Sequence, residues 1–76
     1  MTYKKLLDAV KAYDLNAIGV SLGKPAEKTE AISCFKDGDE WVMQEIDDRG
    51  NVHEIRGNEE DIVRKIYGNI KLRIRR

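Results

Sequence analysis

Cys34 and His53 are the only cysteine and the only histidine of this chain, so they form the one pair that could supply a thiol nucleophile and an imidazole base. Such a pair works only if the two side chains lie within hydrogen-bond reach of each other. The hairpin register predicted from the sequence places them on two strands that a third strand separates. We therefore expect Cys34 to be a small buried hydrophobic residue and His53 to be a cross-strand partner of Glu45.

Four aspartates near predicted turns could in principle hold a divalent cation: Asp37, Asp39, Asp47 and Asp48. Their spacing lacks the twelve-residue calcium loop and the glutamate that closes it. Turn formation explains all four residues, and the chain has no glycine-rich phosphate loop. We therefore expect no catalytic residue, no cofactor, no metal and no enzymatic activity.

The length of 76 residues, with 14 Lys and Arg against 14 Asp and Glu, predicts a single domain spanning 1–76. A lone cysteine gives no disulfide framework, which favours a reducing, cytoplasmic setting. The chain also lacks an apolar run of about 18 residues and the apolar core of a signal peptide near Met1. We expect a cytoplasmic protein without a membrane partner.

The charges are balanced in total but unevenly distributed along the chain. The net charge is +2 over residues 1–28, −8 over residues 29–61 and +6 over residues 62–76. The acidic middle could face a cationic partner, and the basic tail could face phosphate or the acidic middle itself. The alternative for both segments is an ordinary solvated surface.

The first predicted element is a helix capped by Thr2, followed by a strand over residues 17–22. Helical spacing of apolar residues continues from Tyr3 through Leu6, Leu7 and Val10 to Tyr13. In the strand, Ile18, Val20 and Leu22 alternate with small residues, which indicates one buried side.

Two hairpins are predicted in the middle of the chain. Asp37-Gly38 is a type I′ turn signal, which pairs Lys36 with Asp39 and sets Cys34 opposite Trp41. A three-residue loop over 48–50, with Gly50 in the left-handed conformation, then places Ile55 opposite Met43. A two-residue loop would move Ile55 to the other side of the sheet, so the hydrophobic pattern selects the longer loop.

The last predicted element is a helix that begins after Asn58, a good N-cap followed by three acidic residues. Helical spacing runs from Ile62 to Ile74, but Gly68-Asn69 could end the helix and leave a short strand over residues 70–74. We favour a helix running into the low seventies.

The predicted fold class is α+β, in the order α-β-β-β-β-α. It combines a four-stranded antiparallel meander sheet with N- and C-terminal helices packed on one face. The residues expected to be buried together are Leu6, Leu7, Val10, Ile18, Val20, Ile32, Trp41, Met43, Ile55, Ile62 and Ile66.

No third helix is available for the other side of the sheet. That side carries Phe35, Val42, Ile46 and Val52 among polar and charged residues. Apolar side chains ringed by charge are typical of a recognition surface. The alternative is ordinary β-propensity on a solvent-facing sheet.

The segment from Ile32 to Asn51, ISCFKDGDEWVMQEIDDRGN, followed by one more strand and an acidic-capped helix, resembles small immunity proteins of bacterial polymorphic-toxin systems. In that group a strand with Trp and acidic residues runs into an Asp/Glu-Arg-Gly turn. The similarity covers about residues 1–70. It implies a non-catalytic cytoplasmic protein that binds its cognate toxin domain and blocks it, as in contact-dependent growth inhibition, and it assigns no binding residue.

We therefore expect an immunity protein (antitoxin) that occludes the active site of a toxin, with a nuclease as the best match to the acidic middle segment. The predicted partner-binding residues are Phe35, Asp39, Glu40, Val42, Gln44, Asp47, Asp48, Glu54 and Arg56. One alternative is a small nucleic-acid-binding module that uses the basic C-terminal segment together with lysines of the first helix, although no aromatic residues interleave with these cations. Its residues would be Lys71, Arg73, Arg75, Arg76, Lys4, Lys5 and Lys11. Another is a regulatory homodimer formed through the uncovered face or an edge strand.

Overall fold

The computed structural model describes residues 1–75 of the chain. It contains two helices and four strands, and the basic residue Arg76 lies outside the described residues. In chain order the elements are α1 (Tyr3–Val10), β1 (Val20–Leu22), β2 (Ala31–Asp37), β3 (Glu40–Ile46), β4 (Val52–Gly57) and α2 (Glu59–Ile74).

Both helices begin at the caps that the sequence predicts. The hydroxyl of Thr2 accepts a hydrogen bond from the amide of Lys5, and the side chain of Asn58 accepts one from the amide of Asp61. The predicted continuation of α2 past Gly68 is confirmed, since the helix runs to Ile74. Ile70 is fully buried one turn before that end, so packing outweighs the low helix propensity of glycine. Neither described helix has the length and apolar character needed to cross a membrane.

The sheet has the strand order β1-β2-β3-β4, as predicted, but it is mixed rather than antiparallel throughout. Val20 pairs with Ile32 and Leu22 with Cys34 in parallel, while β2–β3 and β3–β4 are antiparallel. Because β1 has only three residues, a return path of about 10 Å suffices to bring the chain back to the start of β2. The connection over residues 23–30 covers that distance, so the meander prediction is wrong for its first connection.

The connection from β1 to β2 passes on the side of the sheet to which Ser21 points. The hydroxyl of Ser21 donates to the carbonyl of Lys24 at 2.9 Å. Residues 24–28 line a small cavity together with Ser21 and Ala31. The connection therefore covers the β1 end of the side that carries no helix.

The β2–β3 hairpin differs from its predicted register by two residues. Asp37 pairs with Glu40, so Gly38 and Asp39 form the turn. Among the described non-glycine residues positive φ occurs at Glu30 and not at Asp39, whereas Gly38 has φ 63°. One positive φ at the first central position is typical of a type II′ turn, which leaves Asp37 in the strand. The shift of two residues keeps every side chain on its predicted side of the sheet, although Cys34 now lies opposite Met43.

The β3–β4 hairpin has the predicted register. Met43 pairs with Ile55 and Glu45 with His53. The amide of Asp47 donates to the carbonyl of Asn51, and Gly50 has φ 86°, as a three-residue loop with a left-handed glycine requires. The hydrophobic pattern thus identified the correct loop length.

The core lies between α2 and the sheet, on what we call the helix-side face. Its buried members are Leu6, Val10, Val20, Ile32, Cys34, Met43, Ile62, Val63, Ile66 and Ile70, with Ile18 and Trp41 half-buried against them. Two residues expected in this core are exposed, Leu7 at 41% and Ile55 at 44%. Leu6 and Val10 make the apolar stripe of the short helix α1, and Leu7 lies outside it. Ile55 lies on the edge strand β4, which within the described part of the chain has a neighbouring strand on one side only.

Candidate protein-binding surface

The side of the sheet away from α2 is called here the open face. Alternation along the paired strands assigns to it every second residue of β2, β3 and β4. Its members beyond the part covered by the β1–β2 connection are Phe35, Asp37, Glu40, Val42, Gln44, Ile46, Val52, Glu54 and Arg56. These include six of the nine predicted partner-binding residues, so the strands bring most of the predicted set onto one surface.

The apolar residues of the open face differ in their accessibility. Phe35 and Ile46 are half-buried, and Val52 is 57% exposed. Val42 is fully buried, which corrects the expectation that it is uncovered. Its cross-strand neighbours are Phe35 on β2 and Arg56 on β4, two long side chains that flank it on either side. Val42 therefore lies beside Phe35, and Phe35 is the more accessible of the two side chains.

A charged network spans the open face around Arg56. Its guanidinium contacts the carboxylates of Glu54 at 2.7 Å, Asp37 at 2.9 Å and Glu40 at 3.8 Å. The side chain of Gln44 donates to the other carboxylate oxygen of Glu54 at 2.7 Å. We call these five residues the Arg56 network. The contacts of the network lie within the chain, and they hold four of the predicted binding residues in one arrangement.

Asp37 belongs to the Arg56 network but is missing from the predicted binding set. The predicted type I′ turn placed it in the loop, away from Arg56. A glycine in the first central position of a II′ turn would have kept Asp37 in the strand, paired with Glu40 and on the same side as Arg56. The sequence Asp37-Gly38-Asp39 is compatible with both a type I′ and a type II′ turn. Choosing the type II′ turn would have added Asp37 to the predicted set.

The hydrogen bonds of the Arg56 network favour its charged forms. The bond from Gln44, followed by that from Arg56, lowers the pKa of Glu54 below its ordinary value. The bonds to Glu54 and Asp37 raise the pKa of Arg56 further. The charged forms of Glu54 and Arg56 are therefore favoured, and the two groups offer opposite charges side by side.

The remaining predicted binding residues lie in the two turns at opposite ends of β3. Asp39 is in the β2–β3 turn, and Asp47 and Asp48 are at the β3–β4 loop. Seven residues of strand separate these ends by about 20 Å. The acidic turns thus flank the open face and do not form a single cluster.

Asp47 organises the β3–β4 loop. Its Oδ1 accepts hydrogen bonds from the amides of Asn51 at 2.8 Å and Arg49 at 2.9 Å, and its Oδ2 lies 3.3 Å from Nε2 of His53. The Asn51 bond, with smaller effects from His53 and Arg49, lowers the pKa of Asp47. Asp48 is exposed beside it, so the loop holds one carboxylate in place and offers a second to solvent.

Cys34 and His53 occupy different environments. The thiol of Cys34 is fully buried in the core, and burial raises its pKa to about 11. His53 lies on the exposed edge strand and contacts Asp47 in addition to facing its predicted partner Glu45. Strand β3 lies between them. Within residues 1–75, no group of three His, Cys, Asp or Glu side chains is placed to hold a metal ion.

The basic C-terminal segment is partly engaged within the molecule. Nη1 of Arg73 donates to the carbonyls of Ile18 and Glu30, both at 2.9 Å, and Nζ of Lys71 lies 5.0 Å from the ring centre of Tyr67. Arg75 is exposed. The sequence left open whether the basic tail faces phosphate, the acidic middle segment or solvent, and it did not predict these contacts, because residue types do not show which main-chain carbonyls are available as acceptors.

Comparisons of the chain with known protein families, with curated protein sequences and with solved structures found no significant match.

Proposed function

We propose that this chain is an immunity protein that binds a bacterial toxin domain and blocks its active site. The observation that carries the proposal is the open face. The half-buried ring of Phe35 lies there beside the Arg56 network, and both helices pack elsewhere. Apolar groups surrounded by fixed polar partners are typical of protein-binding surfaces.

The charge distribution supports a cationic partner. Asp39 and Asp48 project from turns at the two ends of the open face, and both are exposed. A toxin that cleaves nucleic acid needs a cationic surface to hold phosphate. Acidic groups on both sides of an apolar centre would attract such a surface and orient it over that centre. A nuclease is therefore the preferred class of toxin.

The interface would have a centre and a rim. Phe35 forms the centre, Val42 holds it in position, and the Arg56 network supplies hydrogen-bonding groups around it. Because these side chains are already ordered by contacts within the sheet, little conformational entropy is lost on binding. We further propose that the protein acts by binding alone, without catalysis, in the cytoplasm of the cell that makes the toxin.

Nucleic acid is a weaker candidate partner. The contact of Arg73 with Ile18 and Glu30 directs that guanidinium into the molecule and away from an external phosphate. Filter binding of labelled RNA and DNA to the free protein at low salt would support this alternative if it were tight and lost in a Lys71→Ala, Arg75→Ala variant.

The test of the proposed function is protection of cells. The toxin candidate is the product of the gene adjacent to the one that encodes this chain, produced together with each variant. We expect Phe35→Ala to weaken binding by a factor of about 10 or more and to reduce protection, because an anchor side chain contributes about 1 to 2 kcal/mol or more. Leu72→Ala is the matched control, since Leu72 is 60% exposed but belongs to α2.

Circular dichroism and thermal unfolding must show that both variants are folded. Full protection and unchanged affinity in folded Phe35→Ala would remove the open face from the interface. Failure of the adjacent gene product to bind the wild-type protein, or to harm unprotected cells, would count against the immunity function itself.

A further inference from the structure

Strand β4 forms one edge of the sheet, and among residues 1–75 its only partner strand is β3. Its side chains are exposed from Val52 to Arg56, and Ile55 is 44% exposed although it points to the helix-side face. An edge of six residues without a bulge presents main-chain groups that can pair with another strand.

The hydrogen bonding of the β3–β4 hairpin determines which main-chain groups of β4 point outward. The amide of Asp47 donates to the carbonyl of Asn51, so Asn51 belongs to a hydrogen-bonded pair. Such pairs recur at every second residue of an antiparallel ladder. The main-chain groups of His53, Ile55 and Gly57 therefore point to β3, and those of Val52, Glu54 and Arg56 point to the free edge.

We propose that the partner of this edge is a second copy of the same chain, paired antiparallel about a two-fold axis that passes by Ile55. In this register Glu54 lies opposite Arg56 of the second copy, and Arg56 lies opposite its Glu54. Each of these pairs consists of residues whose main-chain groups point outward, so each can exchange both hydrogen bonds. The two Ile55 side chains meet at the axis on the helix-side face.

Charge selects this register over its neighbours. A two-fold axis through Glu54 would set Glu54 against itself, and an axis through Arg56 would set two guanidinium groups together. Both arrangements place like charges directly opposite each other, which destabilises antiparallel pairs. The axis at Ile55 instead sets opposite charges across both pairs, beside the ion pair that Glu54 and Arg56 already form within each chain. It also covers an exposed isoleucine, as a self-complementary interface between identical subunits requires.

The dimer is independent of the proposed immunity function, because it forms without a toxin. The dimer would join the open faces of two copies into one continuous eight-stranded surface. Its experiments contain only this chain, so their failure leaves the proposed function untouched.

The first experiment is sedimentation equilibrium of the wild-type protein. A single edge pairing buries less area than a stable interface, so we expect a weak dimer whose average mass rises from 8.7 kDa towards twice that value between about 10 µM and about 1 mM. A mass that stays at 8.7 kDa through this range would overturn the proposal.

A charge exchange tests the register. Arg56→Glu places two carboxylates opposite each other at both pairs, and it also removes the contacts of Arg56 with Glu54 and Asp37 within each chain. Once circular dichroism shows that the variant is folded, we expect dimerisation to weaken by a factor of about 10 or more. Adding Glu54→Arg to the same chain restores opposite charges and should recover the dimer. Arg64→Glu is the matched control, because Arg64 makes an exposed ion pair with Glu60 on α2. A dimer that survives Arg56→Glu, or that the double exchange does not recover, would contradict this register.

Disulfide trapping tests the axis directly in a Cys34→Ala background. Two copies of Ile55 would form a non-hydrogen-bonded pair with Cα atoms about 4.5 Å apart, within the range of a disulfide. Ile55→Cys should therefore give a covalent dimer in a glutathione buffer. His53→Cys is the control on the same strand and the same side, since its two copies would lie about 13 Å apart along the paired strands. Equal trapping of both variants would overturn the proposal.

Discussion

The main-chain N–H of Tyr3 donates a hydrogen bond to Oε2 of Glu59 at 2.9 Å, which ties the first residue of α1 to the first residue of α2. Glu59 thereby places one carboxylate at the positive ends of both helices. The aromatic ring of Tyr3 packs at the same place against Trp41 of β3, with ring centres 5.0 Å apart. The short helix α1 is therefore held at its beginning as well as through Leu6 and Val10.

Replacing Glu59 should loosen α1. We expect Glu59→Ala to lower the free energy of unfolding by about 1 to 2 kcal/mol, because the partly buried amide of Tyr3 loses a charged acceptor. Glu60→Ala is the control, since Glu60 is also in the first turn of α2 but pairs with the exposed Arg64 of its own helix. Urea unfolding followed by Trp41 fluorescence measures both variants. Equal effects of the two substitutions would show that the bond to Tyr3 contributes nothing.

Removing the side chain of Arg73 should release two loops at once. Arg73→Ala leaves the carbonyls of Ile18 and Glu30 without their donor, and we expect a loss of about 1 to 3 kcal/mol. The left-handed conformation of Glu30, with φ 60°, should become harder to maintain. Hydrogen exchange should speed up first in residues 16–20 and 28–32. Arg75→Ala, which removes an exposed cation two residues further along the chain, should leave this exchange unchanged.

The hydroxyl of Ser33 lies on the side of β2 away from α2, where it is buried and has no hydrogen-bond partner among the described residues. A buried hydroxyl without a partner costs more than a methyl group in the same place. We therefore expect Ser33→Ala to raise the free energy of unfolding by about 0.5 to 1.5 kcal/mol. Ser21→Ala, which removes a hydroxyl bonded to the carbonyl of Lys24, should have the opposite sign. A destabilised Ser33→Ala protein in thermal unfolding would show that the hydroxyl has a favourable partner.

Burial of Cys34 predicts a loss of stability at alkaline pH. The folded thiol has a pKa of about 11, whereas the unfolded thiol ionises near pH 9. Between these values the unfolded chain binds fewer protons than the folded chain, so stability falls as the pH rises, by up to about 2 to 3 kcal/mol. Well below pH 9 the thiol is neutral in both the folded and the unfolded chain, so the stability that is lost at higher pH is fully present there. The difference between the wild-type protein and Cys34→Ala in urea unfolding from pH 7 to pH 10.5 isolates it, and a constant difference would contradict the buried, neutral thiol.

The parts of this fold that follow from local sequence patterns could be predicted, and the part that depends on a connection between strands could not. Caps at Thr2 and Asn58, the loop at Gly50 and the alternation of Met43 and Ile55 are local patterns, and the structure has them where they were predicted. The direction of β1 is different. Three strand residues carry no feature that distinguishes parallel from antiparallel pairing, so the connection that follows decides.

The open face was predictable in its membership but not in its accessibility. Strand alternation assigns Phe35 and Val42 to the same side in either register of the β2–β3 hairpin, because the two registers differ by an even number of residues. Burial of Val42 depends on how Phe35 and Arg56 lie beside it, which composition does not reveal. The exposure of Leu7 likewise depends on how the short helix α1 lies against α2, and the spacing of apolar residues along α1 does not determine that position.

The last prediction separates the effect of charge from that of apolar contact in the proposed binding of a toxin. Exposed charges act over a screening distance of about 8 Å at physiological ionic strength, so they speed encounter more than they slow dissociation. Neutralising Asp39 and Asp48 as Asn should lower the association rate constant with the toxin at low salt and flatten its dependence on salt. Phe35→Ala should instead raise the dissociation rate constant, by a factor of about 10.

Stopped-flow association and surface-based dissociation at several salt concentrations measure the two effects separately. Asp8→Asn is the control for charge, because Asp8 is an exposed acid on α1, away from the open face. If Asp8→Asn slows association as much as Asp39→Asn and Asp48→Asn do, net charge rather than the position of the acidic turns attracts the partner. If neutralising the turns changes only dissociation, Asp39 and Asp48 form bound ion pairs at the interface, and the steering role assigned to them is wrong.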